Sequence, residues 1–119
     1  MKPISNLKGF LERFDDFKNA ELRSIDIVSA TEIKIVFATQ DRARDFDWLC
    51  IEFLFSGIND AKLIESAKYS LIDISEGITI FNENNKIGFS IGRYNKLSTI
   101  KDALFYIVSA NIKYKETQF

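Results

Sequence analysis

Histidine is absent from this chain, and cysteine, proline, methionine and tryptophan occur once each. Without histidine there is no side chain that ordinarily changes charge near neutral pH, nor the commonest metal ligand. A serine or cysteine nucleophile then has no imidazole to take its proton. A zinc site built on cysteines and histidines cannot be assembled either. One cysteine cannot form a disulfide within the chain, which fits a reducing compartment. A single proline, Pro3, leaves no internal linker or domain boundary marked. An excess of charge of one sign is missing too: 16 basic residues face 17 acidic ones. Binding to a polyanion draws on counterion release by a basic surface, so the balance argues against a nucleic acid partner. Long hydrophobic runs are lacking. The longest, Trp48 to Phe55, is interrupted by Glu52 and falls well short of the ~20 residues of a membrane-spanning helix. Met1 to Asn6 carries no apolar signal core. The expectation is a cytoplasmic protein that engages no membrane. Neither a P-loop nor a G-x-G-x-x-G fingerprint occurs, and no cofactor is expected.

What the chain does have is 119 residues, 46% of them hydrophobic, and eleven phenylalanines. That is enough for one core in a single domain, residues 1–119. Leu7, Phe10, Leu11 and Phe14 share one helical face, with Ser5 or Asn6 able to cap the start and Asn19-Ala20 as the expected end. The period then changes to two. Leu22 to Val28 reads as a strand, followed by one carrying Ile33, Ile35 and Phe37 on one face. Gln40 to Asp45 reads as a charged loop. Trp48 to Phe55 is apolar on both faces and is expected at the centre of the sheet. Ile78 to Phe81 and Ile87 to Ile91 read as a hairpin about Asn82-Glu83-Asn84-Asn85, because asparagine tolerates left-handed backbone. A further strand is expected from about Leu104 to Tyr114. Residues 59–76 suit a helix or a strand equally and stay open. The pattern predicts an α+β fold: an N-terminal helix packed on a mainly antiparallel sheet built from hairpins.

Two motifs mimic chemistry. Gly88-Phe89-Ser90-Ile91-Gly92 satisfies the G-x-S-x-G pattern of a nucleophile elbow, but Ile87, Phe89 and Ile91 alternate as one strand and no base exists. Gly88, Ser90 and Gly92 are then the thin face of that strand, where a ring can pack closely. Asp41 to Glu52 is spaced like a calcium loop, yet the third and sixth positions hold Ala43 and Phe46 instead of an oxygen ligand and a glycine. Cys50, between Leu49 and Ile51, reads as a small buried apolar residue. No catalytic residue and no metal ligand is assigned, and the chain is not expected to be an enzyme.

Phe17, Asn19, Ala20, Leu22, Ser24 and Ile25, followed by Phe55-Ser56-Gly57-Ile58, resemble a pattern found in a group of small bacterial domains. Lys18 stands where that group often has histidine. Over about residues 14–58 the chain is similar to immunity proteins of contact-dependent inhibition and other polymorphic toxin systems. The resemblance implies a non-catalytic protein that binds and neutralises a cognate protein toxin. Such an interface relies on a few aromatic or arginine anchors. The candidates are Arg44, Phe46, Trp48, Arg93 and Tyr94, which sit in or beside charged or turn-like segments, with Asp41, Asp45 and Asp47 as an acidic rim. For Trp48 core packing competes with partner contact and is favoured over it. A structural or self-associating module, a homodimer through a sheet edge or the Phe-rich face, is the alternative, and a small-molecule or lipid-binding domain with its aromatic residues around an internal pocket is a third class.

Overall fold

The side chain of Asn6 accepts a hydrogen bond from the Gly9 N–H, satisfying one of the donors that a helix start leaves free, and α1 (Leu7–Arg13) begins there. A computed structural model describes every residue from Met1 to Phe119. The remaining elements are β1 (Lys2–Pro3), β2 (Glu21–Ser29), β3 (Glu32–Asp41), β4 (Asp47–Lys62), β5 (Ile78–Glu83), β6 (Lys86–Ile91), α2 (Leu97–Ile100) and β7 (Tyr106–Gln118). Short turns occupy Asp15–Phe17, Arg42–Arg44 and Ser66–Leu71. The strands form one antiparallel sheet in the order β2-β3-β4-β7-β6-β5, and β1 pairs with β7 beyond the end of β6. The fold is thus mostly antiparallel sheet with a short N-terminal helix, an α+β arrangement.

The sheet curls on itself. Phe37 on β3 and Phe89 on β6 stand three places apart in strand order, roughly 14 Å in a flat sheet, yet their ring centroids lie 6.2 Å apart. Phe89 also meets Phe53 and Phe55 of β4 across β7, at 6.3 and 5.0 Å. Ile35, Phe37, Ile51, Phe53, Phe55 and Phe89 are fully buried in this concavity. Phe10 of α1 reaches it at 5.9 Å from Phe53, and Phe17 at 5.6 Å. A second, smaller cluster of Ile100, Ala103, Tyr106 and Val108 lies on the other face, beneath α2.

Several sequence expectations need correcting. The first helix stops at Arg13 rather than near Asn19-Ala20, because Asp15, Asp16 and Phe17 all take left-handed backbone, with φ of 53°, 55° and 60°. That reversal lets Phe14 and Phe17 both enter the core, 5.4 Å apart. The charged loop begins later than expected, since Gln40 and Asp41 still pair within the β3–β4 ladder. β4 runs on to Lys62 through a bulge between Ile58 and Asp60, absorbing the start of the open stretch 59–76. The β5–β6 hairpin turns on Asn84 and Asn85, both left-handed, as the asparagines suggest. The ring of Phe81 lies against Gly88 where a Cβ would stand, so the thin face of β6 does receive a ring. Ser90 is wholly buried within that strand.

Cys50 is buried on the outward face of β4, between Ala38 and Thr117 of the neighbouring strands. The native protein is expected to react with a thiol reagent at least tenfold more slowly than the urea-unfolded chain, as rates followed by released chromophore will show. Equal rates would mean that the β4 core is open to solvent.

Candidate functional site

Two strained turns meet at one corner of the molecule. Eight residues other than glycine have positive φ, and Asn84 and Asn85 belong to the β5–β6 turn. The other six are Asp15, Asp16, Phe17, Asn19, Asp45 and Phe46, all within the two segments that flank a small cleft of about 80 Å³. Asp15, Asn19 and Phe46 line that cleft together with Arg42 and Trp48. Left-handed backbone costs roughly 1–3 kcal/mol for a bulky residue and persists only where its surroundings impose it. Phe17 is imposed by its burial. Phe46 is not buried: it stays 54% exposed beside Trp48, 40% exposed.

The corner is braced from beneath by ions. Asp41 is fully buried and takes a bidentate clasp from Arg13, at 2.9 and 2.6 Å. Its carboxylate also accepts from the Ala43 N–H at 2.9 Å, capping the Arg42–Arg44 turn. Arg13 reaches Glu116 on β7 at 2.7 Å, and Arg44 contacts Asp41 and Glu116 at 3.6 and 3.4 Å. Hydrogen bonding to Arg13 holds the Asp41 carboxyl below the usual carboxylate range. Burial pushes the other way, while the Ala43 N–H and the charges of Arg13 and Arg44 lower it further. These bonds tie α1, β3 and β7 into one support under the exposed rings.

Above the support lies an aromatic strip. Phe119 packs its ring 5.5 Å from that of Trp48, and the Arg23 guanidinium of β2 sits 4.7 Å above the Phe119 ring. Phe119 is itself 60% exposed. Three large apolar side chains thus stand together at the surface, with cationic Arg23 and Arg44 at their margins. Aromatic rings bordered by arginine are the composition of interface anchors.

Of the residues singled out in the sequence, Arg44, Asp45, Phe46, Asp47 and Trp48 come together here. Asp41 does not belong to the acidic rim: its side chain has no exposure, because Arg13 and the turn enclose it. Trp48 is not core, because it opens β4 on the outward face. Arg93 pairs with Asp16, 3.2 Å away, but lines a different groove together with Ile91 and Phe105. Tyr94 lies elsewhere, packed on the Ile100 cluster. Arg23, Asp15 and Phe119 were missed. The run Asp15 to Asn19 carries a signal in its Asp and Asn residues, which tolerate left-handed backbone; Phe119 and Arg23 carry none, since they meet only through the folded sheet. No family model, no curated protein and no solved structure matches this chain.

Proposed function

We propose that this chain is a non-catalytic binding protein of the cytoplasm, an immunity-type domain that neutralises a cognate protein toxin through the Phe46–Trp48–Phe119 corner. The observation that supports it most is Phe46, left-handed at φ 64° yet exposed, beside the exposed rings of Trp48 and Phe119. A chain under no demand at that surface would relax the backbone or bury the rings. The resemblance over residues 14–58 supports the choice of a toxin as partner. In this reading α1 covers one sheet face as scaffold, and the anchors act as hot spots, with Asp45 and Asp47 as rim charges that aid encounter.

The test is co-purification with the product of the adjacent upstream gene, assayed as a toxin, followed by dissociation kinetics. Trp48→Ala is expected to raise the dissociation rate roughly 30-fold, the scale of a 2 kcal/mol hot spot, with the urea midpoint little changed. Ile27→Ala, at an exposed position on β2, should leave the rate unaltered. An unaltered rate for Trp48→Ala removes the corner, and failure to capture any toxin removes the immunity reading.

A self-associating module is the second reading, favoured by β2 lying at the sheet's edge with Ile27 and Val28 70% and 54% exposed. Light scattering across a hundredfold concentration range separates the two. A constant monomer mass excludes self-association.

A further inference from the structure

A groove of about 540 Å³ opens between the Ser66–Leu71 turn, the end of β6 and the segment leading into β7. Phe105 is its buried floor, and Ile64, Ile72 and Ile91 form half-buried walls. Leu71 and Leu104 stand as lips, 78% and 80% exposed, the two most exposed large apolar side chains of the chain. Two cations, Lys68 and Arg93, mark the mouth. Lys68 has no ion-pair partner, and Arg93 uses only one terminal nitrogen, on Asp16 at 3.2 Å, leaving most of its five donors free. The one carboxylate among the lining residues, Asp73, is turned into its own loop and accepts from the Ser75 N–H at 2.9 Å.

We propose that this groove binds a single-chain amphiphile with a carboxylate head, a fatty acid of medium length. The volume falls within the range of about 300–1,000 Å³ for small-molecule sites, which are mostly apolar with a few orienting polar groups. The alkyl chain lies on Phe105 between the two leucines, shielding both from water. The carboxylate meets Lys68 and the free edge of Arg93, a planar fork suited to it. A neutral or cationic head would leave Lys68 without a counter-charge. This site is separate from the aromatic corner and stands whether or not that surface binds a toxin.

The test uses the full chain, stripped of lipid by unfolding and refolding. It is titrated calorimetrically with decanoate, dodecanoate, dodecanol and dodecyltrimethylammonium, each below its micelle concentration. One dodecanoate per chain is expected, bound roughly 15-fold tighter than decanoate, since each buried methylene contributes about fourfold. Dodecanol should bind about tenfold more weakly than dodecanoate, and the ammonium more weakly still. Lys68→Glu should lower dodecanoate affinity about tenfold and leave dodecanol unchanged. Leu104→Asp, at a position too exposed to disturb folding, should abolish binding of both. Absence of saturable one-to-one binding overturns the proposal, as does equal affinity for dodecanol and dodecanoate. Unchanged binding by Leu104→Asp also overturns it, and binding of a protein segment but of no amphiphile assigns the groove to a macromolecule instead.

Discussion

Gly77→Ala is expected to destabilise the protein by about 3 kcal/mol or more, lowering Tm by roughly 10 °C or more. Two costs add at this one position. Gly77 has φ 80°, where a side chain is strained by about 1–2 kcal/mol. A Cβ there would also collide with the main-chain carbonyl oxygen of Asp16. That oxygen cannot swing aside as a flexible side chain does. Moving it means moving the Asp15–Phe17 turn, and Phe17 is locked between Phe37 and Phe53 at 5.7 and 5.6 Å. Overpacking of this kind costs about 1–3 kcal/mol in addition. Three main-chain bonds fix the approach: Asn19 and Gly77 both donate to the Ile74 carbonyl at 2.9 Å, and Gly92 donates to the Gly77 carbonyl at 3.0 Å. Gly9→Ala is the control. Its Cβ would meet only the side chain of Asn6, and the gain in helix propensity offsets part of the disturbed cap, so a change within about 1 kcal/mol is expected. Urea denaturation of both variants checks the contrast, and equal small effects would show that the Gly77–Asp16 contact is loose.

Asp41→Asn is expected to cost about 3 kcal/mol at pH 7, with a cost that shrinks in acid. Removing one partner of a buried pair ordinarily costs about 3–5 kcal/mol. Here Arg13 is 29% exposed and keeps Glu116, so the lower end applies. The pH dependence follows from the depressed Asp41 carboxyl. Ionised Asp41 is favoured in the folded state, so its stabilisation is fully present above the unfolded carboxyl value of about 3.9. It is lost as pH falls through the lower folded value, where the wild-type carboxylate also takes up a proton. The gap in urea midpoint between wild type and Asp41→Asn should therefore be constant from pH 7 to 5 and narrow below about 4. A gap that persists unchanged to pH 2 would show that the cost does not come from losing the carboxylate's charge.

Why some of this could be read from sequence and some could not comes down to the range of the interactions. β3 and β4 were legible because Ile33, Ile35 and Phe37, and Leu49, Ile51, Phe53 and Phe55, write their buried face into every second position. The β5–β6 turn was legible because asparagine makes its own local backbone. The end of α1 was not, since Asp15 to Phe17 turn left-handed against a loop that begins some sixty residues later. Within the candidate site, Phe46 and Trp48 could be singled out by their charged neighbours. The fate of Asp41 could not, as Arg13 lies 28 residues before it and Glu116 stands on the last strand. Residues 59–76 resisted because they are not one element: they hold the end of β4, as far as Lys62, then the Ser66–Leu71 turn and the approach to β5.

The position of β7 in the sheet governs the order in which the chain can fold. β2, β3 and β4 are consecutive and pair locally, and β5 and β6 close their own hairpin. The two halves share a core only once β7 lies between them, with Ile58 and Ile87 both opposite Ser109. Until β7 emerges, the inner edge of β4 stands unpaired along Leu49 to Lys62, and the rings of Phe53 and Phe55 have no Phe89 to meet. Such non-local pairing folds slowly, on the millisecond-to-second scale. A nascent chain thus carries a long, apolar, open strand edge until β7 arrives, and open edges of that kind are templates for pairing with another chain.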